Sequence, residues 1–256
     1  MSASKFGVPN GITIGTAMAI SGAAASPNMG YHTSAVTALF MTLFDVRLGW
    51  WMANPYKADK WPTPGPALGL GYLFSELVAQ SDPKKSYVYL SDGGHFENLG
   101  VYELLKRRCR MIVACDADCD FNYHFEDLLA LIEKARADFG IHIVIDFGQI
   151  KPDAGGNRNH VNYAVGTIHY SPDDPEDCGT LVYIKAGLPL ETDISKATAM
   201  LPADVWHYSE QNPSFPHQST GDQWFDEVQF ESYRALGEYI GTMAAGEIGN
   251  KIANVL

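Results

Sequence analysis

Cysteine is scarce in this chain: only Cys109, Cys115, Cys119 and Cys178 occur among 256 residues. They form no paired C-x-x-C framework, which excludes a disulfide-stapled scaffold and points to a reducing, cytoplasmic setting. The C-x-x-x-C spacing of Cys115 and Cys119 is a weak metal signal. All four thiols read as structural, with Cys115 a small buried group at the end of an apolar strand. Positive charge is scarce too. Eighteen Lys and Arg stand against 30 Asp and Glu, for a net charge of −12. Nucleic-acid binding draws its affinity from basic contacts to phosphate, so that class of partner is excluded, and a strongly anionic membrane is disfavoured. No apolar run reaches the roughly 20 residues of a membrane span, and the first residues do not read as a secretory leader. The nearest run, Ala35 to Phe44, is broken by Asp45 and Arg47. It leads to Leu48-Gly49-Trp50-Trp51-Met52 and reads as a core helix, or as a lipid-interface segment anchored by its tryptophans. Internal repeats and low-complexity tracts are absent.

What remains is a chain that is 46% hydrophobic, enough for a substantial core. Ile12 to Ile20 reads as a strand, or a strand with a small-residue turn. Ser34 to Phe44 and Ala67 to Ala79 read as helices flanking a proline-interrupted stretch, Asn54 to Pro66. The middle is a βαβ unit. Met111 to Cys115 is a continuous apolar run, as a strand buried on both faces requires. Phe125, Leu128, Leu129, Ile132 and Phe139 recur at helical spacing, and Ile141 to Ile145 is a second strand. Val161 to Tyr170 and Thr180 to Lys185 flank Pro172-Asp173-Asp174-Pro175 and read as a hairpin at the sheet edge. Phe230, Tyr233, Leu236, Ile240 and Met243 form the apolar stripe of a C-terminal helix. No second domain boundary is evident, and residues 1–256 read as one α/β domain or part of one.

The most specific segment is Tyr87-Val88-Tyr89-Leu90-Ser91-Asp92-Gly93-Gly94-His95-Phe96-Glu97-Asn98-Leu99-Gly100. Tyr87 to Leu90 is a short buried strand, and Gly93-Gly94 lets the chain turn sharply. Asn98 can cap a helix carrying Val101, Leu104 and Leu105 on one face, with Lys106, Arg107 and Arg108 at its C-terminal dipole. Asp92 then sits at the carboxyl end of a strand, the edge on which open α/β sheets carry their sites.

With the basic helix end and the strand running to Asp116, this segment resembles the second half of the patatin-like and cytosolic phospholipase A catalytic domain. Two further segments are similar: the small-residue stretch Ile20-Ser21-Gly22-Ala23-Ala24-Ala25-Ser26-Pro27, and Asn212-Pro213-Ser214-Phe215-Pro216-His217-Gln218-Ser219-Thr220 with Gln223-Trp224-Phe225. The resemblance implies a three-layer α/β fold with a mostly parallel central sheet, and hydrolysis of a lipid acyl ester by a Ser-Asp dyad. In that reading Asp92 is the base, Gly93 and Gly94 shape its turn, and no organic cofactor or metal is required. The family's nucleophile lies in Gly-x-Ser-x-Gly, a strained elbow upstream of the Asp. That motif does not occur in these residues, nor does a glycine-rich oxyanion loop. The chain is therefore expected to be the C-terminal part of a longer protein and to supply the Asp half of the site. It would be inactive alone and would associate with itself or with an N-terminal segment of the same protein. A lipid or acyl ester is the expected substrate and a membrane surface a further partner, which makes the protein cytoplasmic or peripheral to a membrane. The competing reading is a non-catalytic lipid- or protein-binding module.

Other constellations are weaker. His95, three residues from Asp92, is placed to hold the turn rather than to bridge Asp92 to a distant hydroxyl. Ser21 and Ser26 lack the glycines of an elbow and read as packing residues. His32, His160, His169, His207 and His217 share no metal-ligand spacing. Asp116-x-Asp118-x-Asp120 starts like a calcium loop, but Phe121 stands where that loop needs Gly and Asp127 where it needs Glu. Asp116 is then a strand terminator, and Asp118 and Asp120 are solvated loop residues or helix caps.

Overall fold

The structure, a computed structural model, describes residues 13–22, 49–54, 57, 84–152, 158–159, 161–190, 201–219 and 224–255. The helices expected over Ser34 to Phe44 and Ala67 to Ala79 lie outside them, as does Ser26. The chain divides into two units, Met1–Asn98 and Leu99–Leu256.

In the first unit α1 spans Ile14–Ser21, where a strand was expected. The reason is a cap: the Thr13 hydroxyl accepts the Thr16 backbone N–H at 3.1 Å, turning the Ile-Thr-Ile alternation into a helix start. Ser21 is the last residue of that helix. The next element is β1, Trp50–Ala53, a strand. It pairs antiparallel with β2, Tyr87–Leu90, bringing Trp51 opposite Tyr89 with their rings 5.3 Å apart. The chain leaves β2 through Ser91 and Asp92 into a single 3-10 turn, Gly93–His95.

The second unit opens with α2, Tyr102–Lys106, which begins four residues after Asn98 and is capped by backbone alone, so Asn98 is not its cap. Buried Val101 and Leu105 hold α2 to the core. Next come β3, Met111–Asp116, and α3, Glu126–Phe139. Helix α3 buries Leu128, Leu131 and Ala135, an i, i+3, i+7 stripe. It ends at Gly140, whose φ of 67° is the left-handed conformation glycine adopts without a Cβ clash. Strand β4, His142–Ile145, follows, then β5, Arg158–Asn159, β6, Tyr163–His169, β7, Cys178–Lys185, and β8, Leu188–Pro189. Last are α4, Ala203–Gln211, and α5, Glu227–Val255.

The unit is mixed α/β, and its sheet has the order β3-β7-β6-β4. Strand β7 runs parallel to β3, whereas β6 is antiparallel to both β7 and β4. The expected mostly parallel sheet is thus a mixed one. The β6-β7 hairpin, expected at an edge, fills the centre instead. Strands β3 and β4 run in the same direction, but α3 carries the chain across two intervening strands. A short β5-β8 pair is separate.

Strand β3 is not buried on both faces. Ile112, Ala114 and Asp116 face the core, while Val113 is 40% exposed and Cys115 is also exposed. On β4, Val144 is 65% exposed. The core side packs Ile112, Ala114, Leu181, Tyr183 and Ile168 against Leu128, Leu131 and Ala135 of α3. A second cluster gathers Leu201, Val205 and Trp206 with Phe215, Leu236 and Ile240 around α4 and α5. The buried stripe of α5 is rotated from the one expected: Phe230 and Met243 are 64% and 57% exposed, and Gln229 and Ser232 are buried in their place. Both polar residues have partners, Gln229 in the Gln218 side chain and Ser232 in the Val228 carbonyl one turn back. Among the described residues no helix is long and apolar enough to cross a membrane.

Candidate functional site

Asp92 stands two residues beyond β2 and caps the 3-10 turn that follows it. Its Oδ1 accepts the Gly94 backbone N–H at 2.8 Å. One carboxylate oxygen thus orders the turn, and no partner of Oδ2 is present among the described residues. Asp92 is half-buried, as are Ser91, Gly94 and His95, whereas Gly93 is exposed.

The two glycines are not equivalent. A Cβ on Gly93 would meet nothing within 4 Å. A Cβ on Gly94 would lie 2.2 Å from Asn98 Oδ1 and 3.2 Å from Asp92 Oδ1, because the Asn98 amide and the Asp92 carboxylate close over that α-carbon. Neither glycine has a positive φ. The crowding at Gly94 is therefore a matter of space, set by the Asn98 side chain, rather than of backbone freedom. The imidazole of His95 faces Ser91, with Nδ1 3.2 Å from the hydroxyl, so the turn is tied at both ends.

A second polar assembly occupies the carboxyl ends of the parallel pair β3 and β7. Lys185 is fully buried and donates to Asp116 Oδ1 at 2.9 Å, with Asp120 Oδ2 3.7 Å away. The Tyr183 hydroxyl donates to Asp116 Oδ2. Burial, and then the neighbouring Asp116 carboxylate, push the Tyr183 phenol far above its ordinary value. Asp120 accepts the backbone N–H groups of His124 at 2.7 Å and Phe125 at 2.9 Å, so it caps the approach to α3. Asp118 lies between them. Burial, reinforced by the Asp127 and Asp116 carboxylates, raises its pKa against the pull of Lys185. Asp116 ends its strand as expected and Asp120 acts as a cap rather than a solvated loop residue, and both are in addition buried partners of Lys185. The ammonium of Lys185 occupies the place among them that a calcium reading would give to metal.

Around this assembly Tyr123 donates to Asn159 Oδ1 at 2.8 Å, and Asn162 Nδ2 donates to the Gly187 carbonyl at 2.9 Å. His217 packs edge-on against Tyr123, with ring centroids 4.9 Å apart. The side-chain atoms Asn159 Nδ2, Trp206 Nε1 and His217 Nε2 are buried without a hydrogen-bond partner among the described residues. The assembly is sealed, and its chemistry is to fix the β3–α3 connection.

Sequence reasoning singled out Asp92, Gly93 and Gly94, and it noted the three aspartates only as a strand end and as loop residues or helix caps. It missed Lys185, Tyr183 and the role of His217. The available signal was a lone lysine closing the apolar run Leu181-Val182-Tyr183-Ile184 while a lone aspartate closes Met111-Ile112-Val113-Ala114-Cys115. In comparisons with protein-family models, curated proteins and solved structures, nothing matches this chain.

Proposed function

We propose that this chain supplies the base of a lipid acyl ester hydrolase of the patatin-like type, with a Ser-Asp dyad whose serine comes from outside these 256 residues. The observation that carries the reading is the Asp92 turn. A carboxylate stands two residues past a strand, one oxygen is anchored to a backbone N–H, and the other has no partner among the described residues. Anchoring fixes the lone-pair direction in advance, so proton abstraction from a serine hydroxyl needs little reorganisation. That serine would attack the ester carbonyl as Asp92 takes its proton. Return of the proton to the leaving alcohol gives an acyl-enzyme, which water then hydrolyses. Gly94 leaves room for the Asn98 and Asp92 side chains to converge, and Gly93 exposes the turn. A three-layer patatin-like arrangement, a lipid substrate met at a membrane surface and a cytoplasmic location go with this reading. So does association with an N-terminal segment of the same protein or with a second copy, which the exposed Val113 and Val144 side chains support.

The test is steady-state hydrolysis of a short-chain acyl ester. The chain alone is expected to give no turnover above background, since a base without nucleophile and oxyanion donors lacks most of the transition-state stabilisation. Joined to the upstream segment of its reading frame, the protein turns over. There Asp92→Asn costs roughly 10²–10⁴-fold in kcat, and His95→Ala costs far less. Turnover by the chain alone would shift the reading to Ser91 and His95. An active full-length protein indifferent to Asp92→Asn would leave a non-catalytic binding turn.

A further inference from the structure

The segment 212–219 straps the two hydrophobic clusters of the second unit together. On one side Phe215 packs edge-on against Tyr208 and Tyr233, and the Gln218 side chain bonds Tyr208 and Gln229. On the other side His217 makes the attachment. Its Nδ1 lies 3.4 Å from the Asp118 carbonyl, the Cys119 thiol donates to its own carbonyl at 3.0 Å, and its ring meets Tyr123 and Phe121 edge-on. His217 is 3% exposed. A carbonyl oxygen only accepts, so Nδ1 carries the proton and the neutral ring presents a lone pair at Nε2. That atom is buried without a partner among the described residues. A second proton would create a buried N–H donor with nothing to receive it, at a site where charge is already costly.

We propose that His217 is a pH-responsive latch, in which the neutral imidazole fastens segment 212–219 to the β3–α3 connection and protonation releases it. Charged groups act on the ring from two elements, Asp116 and Asp120 on β3 and its connection and Lys185 on β7, while Asp118 meets it through its backbone carbonyl. The Asp120 and Asp116 carboxylates and the bond to Asp118 favour the charged ring. Burial is the largest influence and with Lys185 opposes them, so the pKa falls below its ordinary value. A base with a depressed pKa in the closed form takes up its proton on opening. The latched form is therefore favoured above about pH 6.5 and loses up to about tenfold per pH unit as the pH falls below it.

Amide hydrogen exchange read by mass spectrometry at pH 7.5 and pH 5.5, corrected for intrinsic rates, tests this. Protection of peptides covering 117–124 and 213–219 is expected to fall, by up to about tenfold, with α3 unchanged. In His217→Asn the amide can still donate to the Asp118 carbonyl but cannot charge, so the same peptides should show no pH response. The proposal is overturned by a flat wild-type response, by a response that survives in His217→Asn, or by one abolished in Asp118→Asn, whose carboxyl also titrates above its ordinary value. Should His217→Asn fail to fold, NMR of the wild-type imidazole decides. Its titration midpoint must coincide with the loss of protection, and a His217 ring that stays neutral down to pH 5 while the segment opens overturns the latch.

Discussion

Lys185 and Asp116 are register partners at the carboxyl ends of adjacent parallel strands, their charged atoms 2.9 Å apart and sealed from water. The pair does more than neutralise itself. Asp116 also accepts the Asp118 backbone N–H at 2.9 Å, and Lys185 reaches towards Asp120, which caps the way into α3. One buried cation thus organises three carboxylates that would otherwise repel, and with them the loop at this edge of the sheet.

Removing that cation alone leaves two buried carboxylates without compensation. Lys185→Met is expected to destabilise the chain by about 3–5 kcal/mol, the cost typical of breaking a buried pair from one side. Adding Asp116→Asn, which removes one of the stranded charges, should recover part of the loss. Urea denaturation of the wild type and the two variants measures both effects, and a double variant no more stable than Lys185→Met would show that the pair does not couple.

How much of this was legible in the sequence depends on the distance over which each feature is encoded. Strands β2, β3 and β4, the β6-β7 pair and helix α3 show as apolar runs or helical spacing because their signal is local. The strand order does not. Nothing within Tyr163–Lys185 says that this hairpin inserts between β3 and β4, and the contact between Asp116 and Lys185 joins residues 69 apart. Helix α1 was misread because Ile12-Thr13-Ile14 alternates like a strand, and only the Thr13 side chain, folded back on Thr16, reveals a cap. The rotated stripe of α5 was hidden by polar residues, Gln229 and Ser232, whose partners lie on another segment or one turn back. Asp92 was legible as a carboxylate ending a strand. The difference between an open Gly93 and a crowded Gly94 needed the coordinates of Asn98.

That split makes a sharp prediction. Gly93→Ala should leave stability within about 0.5 kcal/mol of wild type, as for an open surface position. Gly94→Ala forces the Asn98 amide away from Asp92 and should both destabilise the turn and, in the proposed hydrolase, lower kcat. Truncating the obstructing side chain in Gly94→Ala with Asn98→Ala should restore stability. Thermal melts of the three variants settle the steric part of the argument independently of activity.

A glycine in the middle of β6 is constrained by a harder neighbour. A Cβ on Gly166 would lie 2.8 Å from the Ile145 Cβ and 2.9 Å from the Val144 carbonyl oxygen, neither of which can rotate aside. The substitution pushes β4 away from β6. Gly166→Ala is expected to cost about 1–3 kcal/mol, in the range of overpacking in a filled core. Gly187→Ala meets only the side-chain amides of Asn159 and Asn162, at 2.6 and 2.7 Å, and should be better tolerated. Denaturant midpoints of the two single variants compare them, and the reverse order would show that the two asparagine amides are the less yielding neighbours.

Alkaline pH should act through the tyrosines. Tyr123 and Tyr170 are each pushed up to about 12, burial being the chief cause in both. Their phenols are neutral in the folded chain at a pH where the unfolded chain has already released both protons. The native state binds more protons in this window, so stability is fully present below pH 10, the ordinary tyrosine value, and declines as the pH rises towards 12. The fall should begin near pH 10 and steepen with each further unit. Urea unfolding between pH 8 and 11, followed by absorbance of tyrosinate, reads stability and ionisation together. Tyr170→Phe, which keeps the ring but loses the bond to the Cys109 carbonyl, should flatten the decline while lowering stability at pH 8. An unchanged slope in that variant would assign the alkaline loss to other groups.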